Sequence, residues 1–305
     1  MSFLKKPYRF AVVYSIFLTC ISAYVLLDAF VIPKAAVPVA TAAYQQVGQV
    51  AAVVEPAAGG EPVLTDSSYR DENIQITIEK GRAFESVYYV ADIRLSSADY
   101  LKTALAKNTY GRNITETTSE MAAAHNAVLA VNGDYYGFRN TGFVLRNGVL
   151  YRAAGKGQSG EALLIDAAGN FSIADETTLS EKDLAGMQQV LSFGPGLVMN
   201  GESTVTGGGN ARSQDAQSNP RTAIGQISEL HYVVVVVDGR TAASRGVTLK
   251  QLAELMIQYN CKIAYNLDGG GSSAMVFNGK VINHPTDGRN DGERRVSDIV
   301  YIGHE

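Results

Sequence analysis

Five consecutive valines, Val233 to Val237, follow Tyr232 and run straight into Asp238-Gly239-Arg240. Valine is stiff at χ1 and favours extended backbone. A strand that is apolar at every position has no face to offer water, so this run reads as a central strand covered on both sides. A second strand-like run, residues 263–267, ends in Asp268 and then in Gly269, Gly270, Gly271, Ser272 and Ser273. Between the two runs, Thr248 and Gln251 are spaced as a capping box, and Leu249, Leu252, Leu255, Met256 and Tyr259 fall on one helical face. Strand, helix, strand predicts a βαβ unit with Asp238 and Asp268 both just past strand C-termini. In a parallel pair both loops open on the edge where ligands of such sheets bind.

Elsewhere Ile74, Ile76 and Ile78 alternate with polar residues, the signature of a strand with one buried face, and residues 85–95 repeat the strand character. Thr117 and Glu120 form another capping box, ahead of a short helix to about Asn126. Residues 127–131 then read as a buried strand ending at Asn132-Gly133-Asp134, and residues 296–302 as a last strand. Asn147-Gly148 and Asn278-Gly279 each sit between apolar runs, and Asn-Gly accepts the positive φ of a type I′ hairpin turn. The expected fold is α+β, with a mixed central β-sheet flanked by helices in one extracytoplasmic domain, residues 73–305.

The extracytoplasmic placement comes from the N-terminus. Lys5, Lys6 and Arg9 precede an uncharged run, residues 10–27, interrupted before Ile32 only by Asp28. That approaches the ~20 residues needed to span a bilayer, with the basic flank inside. Residues 1–33 read as a signal-anchor or transmembrane segment, and residues 34–72, rich in Ala and Pro, as a linker. A cleaved signal peptide is the competing reading, because small-residue triplets occur near Ala40, but the apolar run is long for one. Cys20 lies in the apolar run and Cys261 ends the second helix, so no disulfide framework holds the domain. A formal net charge of -4 argues against a sequence-independent nucleic-acid binder.

The candidate site follows from what gathers at the strand ends. Asp134, Asp238 and Asp268 each follow an apolar run and adjoin glycine, with Asn132 and Asn266 in the same setting to orient hydroxyls. Gly269, Gly270 and Gly271, with Ser272 and Ser273, are expected to lay bare backbone N–H groups as an anion nest. Arg221 with Thr222, Arg240, and Arg294 or Arg295 supply guanidinium groups, which bind phosphate bidentately. Carboxylates plus arginines point to a substrate with both a sugar and a phosphate. Gly155-Lys-Gly157-Gln-Ser-Gly160 matches a dinucleotide fingerprint literally, yet a strand-like run follows it where a helix is required, so it reads as a loop. His125, His231, His284 and His304 show no metal-ligand spacing. No cofactor is assigned, and a divalent cation between Asp134 and Asp268 is one option.

An ordered set of motifs over about residues 115–304 resembles the phosphodiester glycosidase family. It comprises Met121-Ala-Ala-Ala-His-Asn-Ala, Ala130-Val-Asn-Gly-Asp-Tyr-Tyr, Ser192-Phe-Gly-Pro-Gly-Leu-Val and Arg221-Thr-Ala-Ile-Gly. It continues through Val237-Asp-Gly-Arg, Gly246-Val-Thr-Leu, Asn266-Leu-Asp-Gly-Gly-Gly-Ser-Ser and Arg295-Val-Ser-Asp. The resemblance implies hydrolysis of a sugar-1-phosphodiester, freeing the sugar from a phosphate monoester. Animal members carry Gly-Gly-Phe-Phe where this chain has Gly133-Asp134-Tyr135-Tyr136, and their disulfide-rich C-terminal parts have no counterpart here. With the N-terminal anchor, this suggests a bacterial cell-surface protein acting on a wall, capsule or exopolysaccharide glycan. On that reading Asp268 and Asp238 flank the anomeric carbon, while Arg221 and Arg295 hold the phosphate. A non-catalytic module binding an anionic glycan and a P–O-cleaving phosphodiesterase are the alternatives.

Overall fold

The computed structural model describes residues 7–38, 61–153, 160–205, 216–288 and 290–304. Residues 155–159 of the literal dinucleotide motif, all of it but Gly160, and most of the expected linker, residues 39–60, lie outside the described residues. The elements that build the site are, in chain order, α1 (Pro7–Phe30), β1 (Ile74–Ala83), β2 (Ser86–Leu95), β3 (Leu101–Leu105), α2 (Thr118–Ala124), β4 (Leu129–Asn132), β5 (Val144–Arg146) and β6 (Val149–Arg152). They continue with β7 (Gly196–Met199), β8 (Arg221–Ser228), β9 (His231–Val237), α3 (Leu249–Gln258), β10 (Ile263–Asn266), β11 (Met275–Phe277) and β12 (Asp298–Ile302).

The valine strand β9 lies inside a nine-stranded sheet whose central order is β7-β10-β8-β9-β2-β1. Alternation puts Val234 and Val236 on one face and Val233, Val235 and Val237 on the other, and each face has its own core. The second face packs on α3 through Leu249, Leu252, Leu255 and Met256. The first packs on a five-stranded sheet of central order β11-β4-β12-β3, through Val131, Met275, Phe277, Val300 and Ile302. The outer face of that second sheet is closed by Met121 and Ala122 of α2. The layers therefore run helix, sheet, sheet, helix. A third sheet of five strands, including β6 and β5, flanks the pair.

Several local expectations hold. Both capping boxes close as predicted, at Thr117 with Glu120 and at Thr248 with Gln251. Asn147-Gly148 (φ 49° and 76°) and Asn278-Gly279 (φ 47° and 72°) turn the hairpins β5–β6 and β11 into Lys280–Val281 with both central residues left-handed. Cys261 is buried, and burial pushes its thiol up to about 12, so it packs as an inert apolar side chain.

The mixed sheet is corrected: every strand pairing among the described residues is antiparallel. The βαβ unit fails because β8, from earlier in the chain, inserts between β9 and β10 and pairs antiparallel with both. The two strands still run in the same direction, so Asp238 and Asp268 still leave the sheet at one edge, the edge where β8 begins at Arg221. The first sheet also reaches back into the expected linker, taking Val63–Leu64 and Ser68–Arg70 as edge strands. α1 is the one helix among the described residues long and apolar enough to cross a membrane, and its apolar stretch is fully exposed.

Candidate active site

The two sheets are stitched together at this edge by Asn132, the last residue of β4. Its Nδ2 donates to the Asp268 carbonyl (2.6 Å), and its Oδ1 accepts from the Thr222 hydroxyl (2.8 Å). The Asp268 N–H donates to the Gly133 carbonyl (3.2 Å). Asn132 is fully buried, so these bonds satisfy polar groups that would otherwise be costly. They bring Asp134 and Asp268, one from each sheet, to a common cavity of about 220 Å³. The cavity is lined by Asp134, Asp268, Ser272, Arg294, Arg295, Val296 and Ser297, with the more exposed rings of Tyr135 and Phe138 as its rim. The two rim rings stack at 4.9 Å and are each 39% exposed.

Asp268 is only 8% exposed, and burial raises its carboxyl to about 6, against the stabilising Ser272 hydroxyl (2.6 Å), Gly269 N–H (2.8 Å) and the charge of Arg294. A titratable group poised near neutrality in a cleft is a functional candidate. Asp134 is held the other way. Burial pushes it up, but Arg146 and Arg139 outweigh burial and keep it ionised, below its ordinary value. The Arg146 guanidinium lies between two carboxylates, with Nη2 at 2.8 Å from Asp134 and 2.7 Å from Asp298, all three side chains at most 1% exposed. Burial and the Asp134 charge raise the Asp298 carboxyl. One cation facing two buried acids favours the ionised form at Asp134 and the protonated form at Asp298.

Other predicted site residues stand elsewhere. Asp238 Oδ1 accepts from Asn283 Nδ2 (3.0 Å) and the His284 N–H (2.9 Å), fixing that turn behind the cavity wall, and burial raises its carboxyl. Arg221 is buried, donating to the carbonyls of Val247 (3.2 Å) and Gln217 (3.1 Å), and is not among the lining residues. Arg240 is exposed and reaches Asn219 (3.3 Å). Asn266 Nδ2 donates to the Gly194 carbonyl (2.7 Å). The expected anion nest is corrected too: the N–H groups of Gly269, Gly270, Ser272 and Ser273 bond to Asp268, Pro220, Gly269 and Gly270 respectively. Gly270 has φ +65°, and a Cβ on Gly271 would meet Asp287 Oδ1 at 2.6 Å and Arg294 Cζ at 2.9 Å. The glycines are there so that arginines can press against the loop.

Arg294 pairs with Asp287 (2.6 Å) and Arg295 with Glu120 (3.0 Å), each about half-exposed, and both line the cavity. Sequence reading missed Tyr135, Phe138, Val296, Ser297 and the Arg146–Asp298 pair. Tyr135 follows Asp134 directly, Phe138 comes three residues after Tyr135, and Val296 and Ser297 follow Arg295, so nearness in sequence was the available signal. Arg146 had none, since an arginine before Asn-Gly reads as an exposed hairpin position. Among the described residues no three His, Cys, Asp or Glu side chains gather to hold a metal ion. A cation between Asp134 and Asp268 fits poorly, because both Asp134 oxygens are already bonded, to Tyr136 N–H, Ser192 N–H and Arg146.

A buried carboxyl group and two arginines lining one cavity, with an aromatic rim, make this the candidate site for a small anionic ligand. The profile of the phosphodiester glycosidase family matches residues 125–303, which include every residue lining the cavity, and the chain belongs to this family of hydrolases. It is 28% identical over 268 residues to the SPbeta prophage-derived uncharacterized protein YomE of Bacillus subtilis, covering 79% of this chain and 40% of that protein. It is 30% identical over 210 residues to the N-acetylglucosamine-1-phosphodiester alpha-N-acetylglucosaminidase of Bos taurus, covering 61% of this chain and 38% of that enzyme. The chain thus spans about two fifths of the length of these relatives. The catalytic domain of the zebrafish enzyme of the same name shares the fold, with a TM-score of 0.61 and 22% identity over 76% of this chain and 83% of that one.

Proposed function

We propose that the protein hydrolyses the glycosidic C–O bond of a sugar-1-phosphodiester outside the cytoplasm, anchored by α1. The observation that carries this reading is the pairing, in one cavity, of a buried Asp268 carboxyl near neutrality with Arg294 and Arg295. The phosphate lies against the arginines and the sugar against the Tyr135–Phe138 rim. The C1–O bond breaks with its electron pair going to the phosphate oxygen, so a phosphate monoester leaves. Water adds its oxygen to C1 and gives a proton to ionised Asp268. A phosphate monoester needs less protonation than an alkoxide, so the arginines carry more of the stabilisation of the leaving group. The Asp134 anion favours the positive charge that develops on the sugar. Arg221, Asp238, Arg240 and Asn266 then act by fixing the loops that carry the wall.

Several relatives are named for an N-acetylglucosamine-1-phosphodiester, so a GlcNAc-1-phosphate methyl diester is the first substrate to test. Hydrolysis in water enriched in oxygen-18 is expected to place the label in the released sugar. Label in the phosphate would mean P–O cleavage, and no released sugar would leave a binding module. Arg294→Gln is expected to raise KM by about 10-fold or more, the scale of losing one charge-assisted contact. Unchanged KM and kcat would take Arg294 out of phosphate binding.

A further inference from the structure

We propose that the group esterified to the substrate's phosphate is a lipid seated in the membrane that α1 crosses, making the substrate a lipid-linked sugar-1-phosphodiester. This rests on the function proposed above and on how α1 is mounted. The helix does not hang from a free tether. Asn113 Nδ2 donates to the carbonyls of Ala29 (3.3 Å), in the last turn of the helix, where intrahelical partners run out, and of Ile32 (3.2 Å), just past its end. Lys34 and Ala35 then pair with Arg112 and Gly111, the Ala36 N–H donates to the Tyr110 carbonyl (2.8 Å), and Lys34 meets Asp28 at 2.5 Å.

The segment that receives the helix also carries the cavity rim. The Asn113 N–H donates to the Gly137 carbonyl (3.3 Å), and Gly137 is the middle of the turn Tyr136–Phe138. A Cβ on Gly137 would sit 2.1 Å from Ser297 Oγ, in the cavity wall, so this turn is pressed onto the site. Two residues, Asn113 and Gly137, therefore link the end of α1 to Phe138, which puts the rim within about 15 Å of the helix end. The 24 residues of α1 span roughly 36 Å, more than the ~30 Å hydrocarbon core, so its C-terminal end lies at the outer interface. Half-exposed aromatic pairs settle at that depth. The rim then faces the headgroup layer, where the phosphates of lipid-linked sugars lie, and Arg294 and Arg295 match their charge.

The test uses the full chain in nanodiscs with two substrates of identical sugar-1-phosphodiester. One carries a dialkylglycerol group inserted in the disc, the other a methyl group in solution. A variant with a flexible Gly/Ser segment inserted between Pro33 and Lys34, combined with Asn113→Gly, which keeps the left-handed backbone (φ 57°) and the N–H bonded to Gly137, frees the domain from the helix and leaves every lining residue of the cavity in place. The native protein is expected to favour the lipid substrate by about tenfold or more, from effective concentration and positioning. The variant is expected to lose that preference while its turnover of the methyl diester stays within about twofold. Turnover of the methyl diester with no lipid preference, or a preference the insertion does not reduce, overturns this inference alone. Turnover of neither removes the hydrolase reading, and this inference with it.

Discussion

Asp268→Asn is expected to lower kcat for a sugar-1-phosphodiester by about 10²–10⁴-fold, the usual weight of a positioned acid or base, while making the fold more stable. The two effects share a cause. Burial lifts the Asp268 carboxyl from 3.8 to about 6, so the folded protein holds this proton more tightly than the unfolded chain does. Stability is therefore greatest below the unfolded value and falls as pH rises from about 4 to about 6, after which the loss is complete. A shift of about two units corresponds to as much as about 3 kcal/mol against folding at pH 7 and above. Asparagine keeps the shape and can still bond to the Gly269 N–H and the Ser272 hydroxyl, but it has no charge to desolvate. The variant should melt several degrees higher at pH 7–8 and lose the stability slope between pH 4 and 6. On the proposed function, kcat/KM of the native protein should rise through pH about 6 as Asp268 ionises to act as a base. A rate that instead falls through that pH makes Asp268 the acid. A folded Asp268→Asn protein with undiminished turnover takes it out of the chemistry.

What the sequence exposed was local. Turn chemistry at Asn147-Gly148 and Asn278-Gly279, the capping boxes at Thr117 and Thr248, and the two-sided burial of the valine strand each depend on a few adjacent residues, and each is present in the fold. What it hid was non-local. Nothing in residues 221–228 announces that they will insert between strands arriving later in the chain, so a parallel pair was the natural expectation where an antiparallel trio formed. The convergence of strand ends survived that error because direction, not adjacency, decides which edge a strand's tip reaches. The choice of arginine did not follow from local sequence. Arg221 is caught by the backbone carbonyls of Val247 and Gln217, while Arg294 and Arg295 pair with Asp287 and Glu120 and line the cavity, an arrangement that only the fold supplies. The glycine loop was informative for a different reason than first read. Its glycines make room for guanidinium groups, and its N–H groups are mostly used within the protein.

Arg146→Met is expected to be the most destabilising single change near the site, costing about 3–5 kcal/mol, because it leaves Asp134 and Asp298 buried with no counter-charge between them. The guanidinium also donates to the carbonyls of Leu145 (3.1 Å) and Val190 and lies 5.7 Å from the Tyr136 ring centre, so methionine loses bonds as well as charge. Denaturant unfolding checks the size of the loss. The two carboxyl groups should respond unequally when each is neutralised in the native background. Burial and the Asp134 charge push Asp298 toward its protonated form, so Asp298→Asn should cost less than Asp134→Asn. Asp134→Asn should cost more and also reduce turnover, since Asp134 is the ionised member that reaches the cavity. Placing Asp134→Asn on top of Arg146→Met should recover part of the stability by removing an uncompensated charge, as a double-mutant cycle would register. Turnover should not recover with it, because the anion that the proposed mechanism sets beside the sugar is gone. Equal costs for Asp298→Asn and Asp134→Asn would mean that the charge is shared between the two acids, and the assignment of Asp134 as the standing anion of the site would fall.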